Sequence, residues 1–183
     1  MSVWTRCALV AVLSCGCGAK APVQHDAIAE HTAPGAIIPA DGGEHRILRG
    51  RKPITLKVDP LSVGSEHLFL GTEIMPPGDS IPLHRHLEEE EILLVQRGSL
   101  MIHLGDRVER AGTGATVFVP RGVWIGLMNT SADTAAITYI FNEPSFSRCL
   151  RAFSSPPGVR YVEPSADSVA HIRHDCHQGV PGH

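Results

Sequence analysis

The sequence lacks the features that would place it in several large protein classes. It has no long hydrophobic run, because the apolar segment at residues 8–13 is too short to span a membrane as a helix. It has no strong excess of either charge, and a net charge of −3 gives no indication of nucleic-acid binding. Aromatic residues make up only 5% of the chain. Its 18 glycines and 14 prolines favour turns and short strands over long helices. A chain of 183 residues predicts one domain with a tail.

The N-terminus predicts an exported protein that is anchored by a lipid. One positive charge, the short apolar segment and the small residues after it are typical of a secretory signal peptide, which we place at residues 1–14. Residues 12–15 resemble a bacterial lipobox, which implies lipidation of Cys15; lipidation of Cys17 and an ordinary signal peptide are the alternatives. Gly16 favours the periplasmic side of the outer membrane, by resemblance to Gram-negative lipoproteins. We expect a cell-envelope protein that meets the membrane only through this lipid, with a flexible tether over residues 15–50.

Short alternating or apolar runs dominate the rest of the chain. They occupy residues 54–58, 66–75, 91–96, 100–104, 115–119, 124–128 and 135–141, and glycine- or proline-containing turn signals separate them. Strands at such close and regular spacing predict an all-β barrel or sandwich, which we place at residues 51–145. Residues 146–153 and 166–177 are expected to form short helices in a C-terminal extension that covers residues 146–183.

The C-terminal extension carries two features that the sequence leaves open. Cys149 and Cys176 would pair in an oxidising compartment if they lie close together, and two separate thiols are the alternative. His171 and His174 share one face of the second predicted helix, as a metal-binding pair would. However, an apolar stripe that includes Ile172 and Cys176 indicates a helix that docks on the domain and turns its histidines outward.

A cluster of potential metal ligands lies between two glycines, Gly78 and Gly98. His84 and His86 are two residues apart, so on a β-strand both imidazoles point to the same face. Glu91 can return from a short loop and complete a set of three ligands for a divalent metal ion. It lies in a run of four glutamates, of which Glu90 is the alternative ligand. We interpret the remaining glutamates, residues 88 and 89, as solvated charges.

A second motif follows after a spacer at residues 99–113. Gly114, Pro120, Gly122 and Asn129 fit the pattern G-x5-P-x-G-x2-H-x3-N, while Ile125 stands at its histidine position. The two motifs together resemble those of the cupin superfamily. The resemblance covers residues 54–142 and implies a cupin-type jelly-roll barrel, here with short C-terminal helices.

The resemblance also implies a metal site that has lost one ligand. A full cupin site has three histidines and one glutamate, so His84, His86 and Glu91 would remain, as in the two-histidine, one-carboxylate sites of non-haem iron enzymes. The metal would be iron, manganese, zinc, nickel or copper. His103 is a poor substitute for the missing ligand, because alternation along residues 100–104 points it away from the interior.

Three functional hypotheses remain at this point. The first is a metal-dependent oxidoreductase of the dioxygenase type, or an isomerase, which acts on a small molecule with Glu90 as proton acceptor. The second is a non-catalytic protein that binds or senses a small molecule. The third and weakest is metal storage by the glutamate run and the histidine-rich tail. Many barrels of this family form dimers, so a homodimer is a further expectation.

Overall fold

The computed structural model describes residues 35–182. The signal peptide at residues 1–14, the lipidation site at Cys15 and the larger part of the tether lie outside the described residues. The elements are the strands β1 (Glu44–Leu48), β2 (Lys52–Val58), β3 (Phe69–Met75), β4 (Ser80–His86), β5 (Glu91–Arg97), β6 (Ser99–Leu104), β7 (Arg107–Gly112), β8 (Thr116–Val119), β9 (Ile125–Met128), β10 (Ala135–Phe141), β11 (Ser154–Ser155) and β12 (Gln178–Gly179), with the helices α1 (Phe146–Ala152) and α2 (Ala166–Asp175).

The strands form two antiparallel sheets. One has seven strands in the order β11-β1-β2-β3-β10-β5-β8, and the other has five in the order β12-β4-β9-β6-β7. The inward-facing side chains of both sheets make one hydrophobic core, which includes Phe69, Leu93, Ile125 and Phe141. Two facing sheets with non-sequential strand order and two short helices are the cupin-type jelly-roll architecture, so the predicted fold class is confirmed.

Turns in the two motifs hold the ends of the strands in place. Gly78 and Gly98 have φ angles of 78° and 81°, the left-handed region that favours glycine, as expected for tight turns around β4 and β5. The buried Asn129 ties the first of these turns to the rest of the domain. Its backbone carbonyl accepts from the Gly78 amide at 2.9 Å, and its Nδ2 donates to the Met75 carbonyl at 2.8 Å. This part of the second motif is structural.

The C-terminal extension packs on the domain instead of leading away from it. Cys149 of α1 and Cys176 at the end of α2 form a disulfide with their Cα atoms 5.9 Å apart, which settles the pairing that the sequence left open. Strand β12 then pairs with β4, so that Gln178 lies opposite His86. Neither helix within residues 35–182 is long and apolar enough to cross a membrane.

The structured region starts upstream of the boundary expected from sequence. Strand β1 lies within residues 15–50, which the sequence assigned to the tether, and pairs with β2 and β11. Its polar side chains are satisfied by distant residues, since Arg46 donates to the Ser154 hydroxyl and carbonyl at 2.6 and 2.8 Å. Strand β3 begins at Phe69, later than the predicted residue 66, because the preceding residues form a loop organised by Asp59, whose carboxylate accepts from the Ser62 amide at 2.7 Å.

Candidate metal centre

Three of the predicted ligands face the interior at one end of the barrel. His84 and His86 alternate with exposed or half-exposed neighbours along β4, and both imidazoles are buried. Glu91 is the first residue of β5 in the opposite sheet and is 5% exposed. Ile125 lies directly across from His84 in the β4–β9 register and is fully buried. The side chain at the fourth ligand position of the motif is therefore an apolar wall beside His84.

The distances between these side chains are short but do not define a complete ligand set. The His86 Nε2 and Glu91 Oε2 atoms are 3.7 Å apart, and the centroids of the His84 and His86 rings are 5.0 Å apart. His84 Nδ1 lies 2.8 Å from the Pro82 carbonyl oxygen, which can only accept a hydrogen bond, so Nδ1 carries the ring proton and Nε2 keeps the lone pair. No group of three or more histidine, cysteine, aspartate or glutamate side chains in residues 35–182 is already arranged to hold a metal ion.

The surroundings of His86 favour the neutral imidazole. Its ring contacts Phe141 and Phe146 edge-on, with centroid distances of 4.8 and 4.7 Å, and both ring nitrogens are buried without a hydrogen-bond partner among the described residues. Burial, with a smaller contribution from His84, lowers the pKa of His86 to about 3. The pKa of His84 is also lowered, mainly by burial. Both imidazoles are thus in the protonation state that binds metals.

The opposite sheet contributes a buried group of polar side chains. Burial, with a smaller contribution from Glu73, raises the pKa of Glu91 to about 8, so its carboxyl group is protonated at neutral pH without a metal. The contact between Glu91 and His86 is consequently one between neutral groups. Burial also raises the pKa of Glu73, although Lys52 Nζ lies 2.9 Å from its Oε1. The Tyr139 hydroxyl is buried and has no hydrogen-bond partner in the described part of the chain, and burial raises its pKa well above the usual value.

The donor chemistry fits a divalent metal ion. Two atoms bound to one metal at distances of about 2.1 Å are roughly 3.0–3.5 Å apart, so the 3.7 Å between His86 Nε2 and Glu91 Oε2 requires a shift of well under 1 Å. Among residues 35–182, Glu91 Oε2 has no hydrogen-bond partner, and neither does either ring nitrogen of His86. Buried polar atoms without partners are costly, and a metal ion would satisfy them.

The other glutamates of the run occupy different environments. Glu90 is exposed, and its backbone amide donates to the Asn142 side chain at 2.9 Å. The interpretation of Glu89 as a solvated charge is wrong: it is fully buried, and its Oε1 accepts from the Ser145 hydroxyl at 2.8 Å. His177 Nδ1 lies 3.5 Å from Glu88 Oε2 and 3.7 Å from Glu89 Oε1. These contacts join the loop before β5 to the C-terminal extension and leave Glu91 as the glutamate that faces the histidines.

The remaining histidines of the sequence analysis lie away from this centre. Leu100 and Ile102 are buried, and His103 lies on the outer face of β6, as the alternation predicts. His171 and His174 lie on the exposed side of α2, while Ile172 packs against the core. The apolar stripe on this helix is therefore the side that docks.

A cavity of about 280 Å³ opens beside His84 and Glu91. Lys52, Glu73 and Tyr139 line it, and sequence reasoning missed the first two as site residues. The sequence did carry a signal for Glu73. It lies at every second position with Phe69, Gly71 and Met75, so it is a charged residue on the buried face of its strand. The Tyr139 ring packs against Gly71, where an added Cβ atom would clash with it.

Comparisons with known proteins agree with this architecture. Residues 71–141 match the family described as Cupin domain. A predicted oxalate decarboxylase from Thermotoga maritima superposes with a TM-score of 0.53 at 18% identity, covering 59% of this chain and 99% of that chain. KdgF from Halomonas sp. superposes with a TM-score of 0.52 at 14% identity, covering 60% of this chain and 96% of that chain. No curated protein matches the sequence.

At such low identities the structural matches establish the fold and leave the reaction open. The matched segment runs from β3 to the end of β10 and contains His84, His86, Glu91 and Ile125. The C-terminal extension with its disulfide lies outside it. The family match and the two-sheet architecture together support the cupin superfamily, and the described domain has the cupin jelly-roll fold.

Proposed function

We propose that the domain binds a divalent metal ion through His84, His86 and Glu91 and acts on a small organic molecule in the adjoining cavity. The observation that carries the proposal is a group of buried donor atoms without hydrogen-bond partners among the described residues, His86 Nδ1 and Nε2 and Glu91 Oε2, of which Glu91 lines that cavity. Three protein ligands leave coordination positions open to a substrate, and iron, manganese, zinc, nickel and copper all accept such ligands. The metal would supply Lewis-acid or oxygen chemistry, as in a dioxygenase-like oxidoreductase or an isomerase.

The chain's own residues have defined roles in this proposal. Lys52 holds Glu73 in place through its 2.9 Å contact and is itself fixed by the Ser80 carbonyl at 2.6 Å. The Tyr139 hydroxyl keeps its proton because its pKa is raised, so it serves as a hydrogen-bond donor to a bound molecule. Glu90, the proton acceptor expected from sequence, is at the surface and receives no role here.

Metal titration of protein purified without a polyhistidine tag tests the proposal. We expect one Mn²⁺ or Fe²⁺ ion per chain in the wild type and loss of that ion in the variant that combines His84→Ala with His86→Ala. The matched control combines His103→Ala with His171→Ala, which removes two histidines outside the cavity. Equal metal affinity in the two double variants would refute the metal site. If the wild type binds the metal as expected, metal-dependent oxygen uptake with a substrate would identify the dioxygenase reaction.

A non-catalytic binding role is the second candidate, and one observation favours it. Ile125 fills the position opposite His84 with an apolar side chain, so the fourth ligand of the motif is missing. Thermal-shift screening of chelator-treated protein distinguishes the two functions. Stabilisation by small molecules that is equal with and without metal supports binding alone, whereas stabilisation that requires the metal supports the enzyme.

We also propose that a lipid on Cys15 anchors the domain in the cell envelope, facing the periplasm. The proposal rests on the short apolar segment and the lipobox-like residues 12–15. The disulfide in the C-terminal extension is consistent with an oxidising compartment. Metabolic labelling with palmitate should mark the wild type and the Cys17→Ala variant but not the Cys15→Ala variant. Labelling that survives Cys15→Ala would refute this anchor.

A further inference from the structure

An arginine of the C-terminal extension lines the cavity, and no residue in the described part of the chain pairs with its charge. Arg173 on α2 is half-buried, and its Nε atom is completely buried without a hydrogen-bond partner. Within residues 35–182 its guanidinium group makes no ion pair either. A buried N–H of a charged side chain that lacks a partner is costly, and an anion bound to the guanidinium group would satisfy it.

The other charges of the cavity wall are largely balanced. Lys52 lies 2.9 Å from Glu73 Oε1 and 3.2 Å from Asp79 Oδ2, and Arg49 pairs with Glu163 at 2.9 Å. Arg51, which is exposed at the rim, adds a second positive charge that has no ion-pair partner in the described part of the chain. The unbalanced charge on this wall is therefore positive, which favours an anionic ligand.

The remainder of the wall is apolar. Phe141 of β10 and Phe146 and Phe153 around α1 line the cavity together with Leu93 and Leu127. A volume of about 280 Å³ is at the small end of the range for ligand pockets, so the space suits a compact ligand of about ten non-hydrogen atoms. Flat or aliphatic carbon skeletons suit such walls better than heavily hydroxylated molecules.

We propose that the cavity binds a small monocarboxylate with an apolar body, and that Arg173 pairs with its carboxylate. The inference rests on the proposed function, because it assigns the class of molecule held beside His84 and Glu91. The planar guanidinium group matches a carboxylate in a two-bond geometry. The disulfide and the pairing of β12 with β4 hold α2 at the cavity, so the extension outside the cupin match supplies the group that selects the ligand.

Benzoate and benzamide are suitable probes, since they have nearly the same shape and differ in charge. Calorimetric titrations of the full-length protein would use the wild type, Arg173→Gln, Arg173→Lys and the control Arg148→Gln, which changes an exposed arginine of α1 outside the cavity. Each titration is done in chelator and again with saturating Mn²⁺, and Mn²⁺ affinity is measured on the same samples. Phenylacetate and hexanoate, each with its amide, extend the series.

We expect the wild type to prefer benzoate over benzamide by roughly tenfold to a hundredfold, as for a hydrogen-bonded charge. Arg173→Gln should remove most of this preference, Arg173→Lys should keep part of it, and Arg148→Gln should leave it unchanged. Equal affinity for acids and amides in the wild type, an intact preference in Arg173→Gln, or no binding of any of the three acids would overturn the inference. An acid preference in a protein that binds no Mn²⁺ would support the inference and refute the proposed function instead.

Discussion

Binding of a divalent metal ion at the candidate centre is expected to release close to one proton at pH 7. Burial raises the pKa of Glu91 to about 8, so about 0.9 of the metal-free molecules carry a proton on this carboxyl group at pH 7. A ligating carboxylate is ionised, so the metal displaces that proton. Burial lowers the pKa of both His84 and His86, so these imidazoles add little to the release. A glutamate with an ordinary pKa of about 4.5 would release less than about 0.01 protons.

The pH dependence of this release gives the prediction its magnitude. It should fall to about 0.5 protons at pH 8 and about 0.1 at pH 9, as Glu91 ionises without the metal. Correspondingly, the dissociation constant for Mn²⁺ should decrease about tenfold per pH unit below pH 7.5 and level off above pH 8. The sign follows from competition between metal and proton for the same oxygen atoms.

Calorimetric titration with Mn²⁺ in two buffers of different ionisation heat measures the released protons directly. Glu90→Gln is the matched control, because it removes the exposed neighbouring carboxylate and should leave the proton release unchanged. Glu91→Gln should abolish both the release and most of the metal affinity. Tight Mn²⁺ binding with a release near zero at pH 7 would refute the burial of a protonated Glu91 as described.

Three further predictions concern the stability of the domain and the ligand position that Ile125 occupies. In urea unfolding of metal-free protein, stability should fall by about 1 to 2 kcal/mol between pH 6.5 and 8, since Glu91 keeps its proton when folded and loses it when unfolded. Below pH 6.5 the lowered pKa of His86 has the opposite effect and offsets this trend, and Glu91→Gln should flatten the decline. Ile125→His should raise metal affinity by at least about tenfold, whereas the control Met128→His, at an exposed position of the same strand, should not; equal effects of the two would contradict the assigned position. Reduction of the disulfide, which closes a loop with a sequence separation of 27, should cost about 3.5 kcal/mol in the same unfolding assay, and unchanged stability would contradict its structural role.

Local sequence patterns were sufficient to predict the fold class and the side chains that share the interior face. The alternation of β4 places both histidines inward, and the turns at Gly78 and Gly98 adopt the positive φ angles that glycine permits. These are short-range properties, because strand alternation and turn conformation depend on neighbouring residues. The second motif placed Ile125 at its histidine position, and the pairing of β4 with β9 then brings that position across from His84.

The polar side chains of the opposite sheet depend on long-range pairing. Lys52 meets Glu73 only because β2 pairs with β3, and Tyr139 reaches the cavity over Gly71 of β3. Similarly, the burial of Glu89 depends on Ser145, which is 56 residues away. Nothing within the glutamate run distinguishes Glu89 from its neighbours, so the sequence could not separate a buried carboxylate from solvated ones.

The C-terminal extension was predicted as two helices, but its role at the cavity was not. The helix boundaries are close to those expected, with α1 at Phe146–Ala152 and α2 at Ala166–Asp175. What the sequence could not provide is the direction in which α2 crosses the domain. The disulfide and β12 fix that direction, and they bring Arg173 to the cavity wall.

Pulsed electron paramagnetic resonance of the Cu²⁺-loaded protein tests the central claim most directly, since it counts the imidazole nitrogens bound to the metal. The account predicts two coordinated imidazoles in the wild type, one in His84→Ala and one in His86→Ala, and two in the control His103→Ala. A Cu²⁺ signal without imidazole coordination, or one that is the same in the wild type and both site variants, would contradict it.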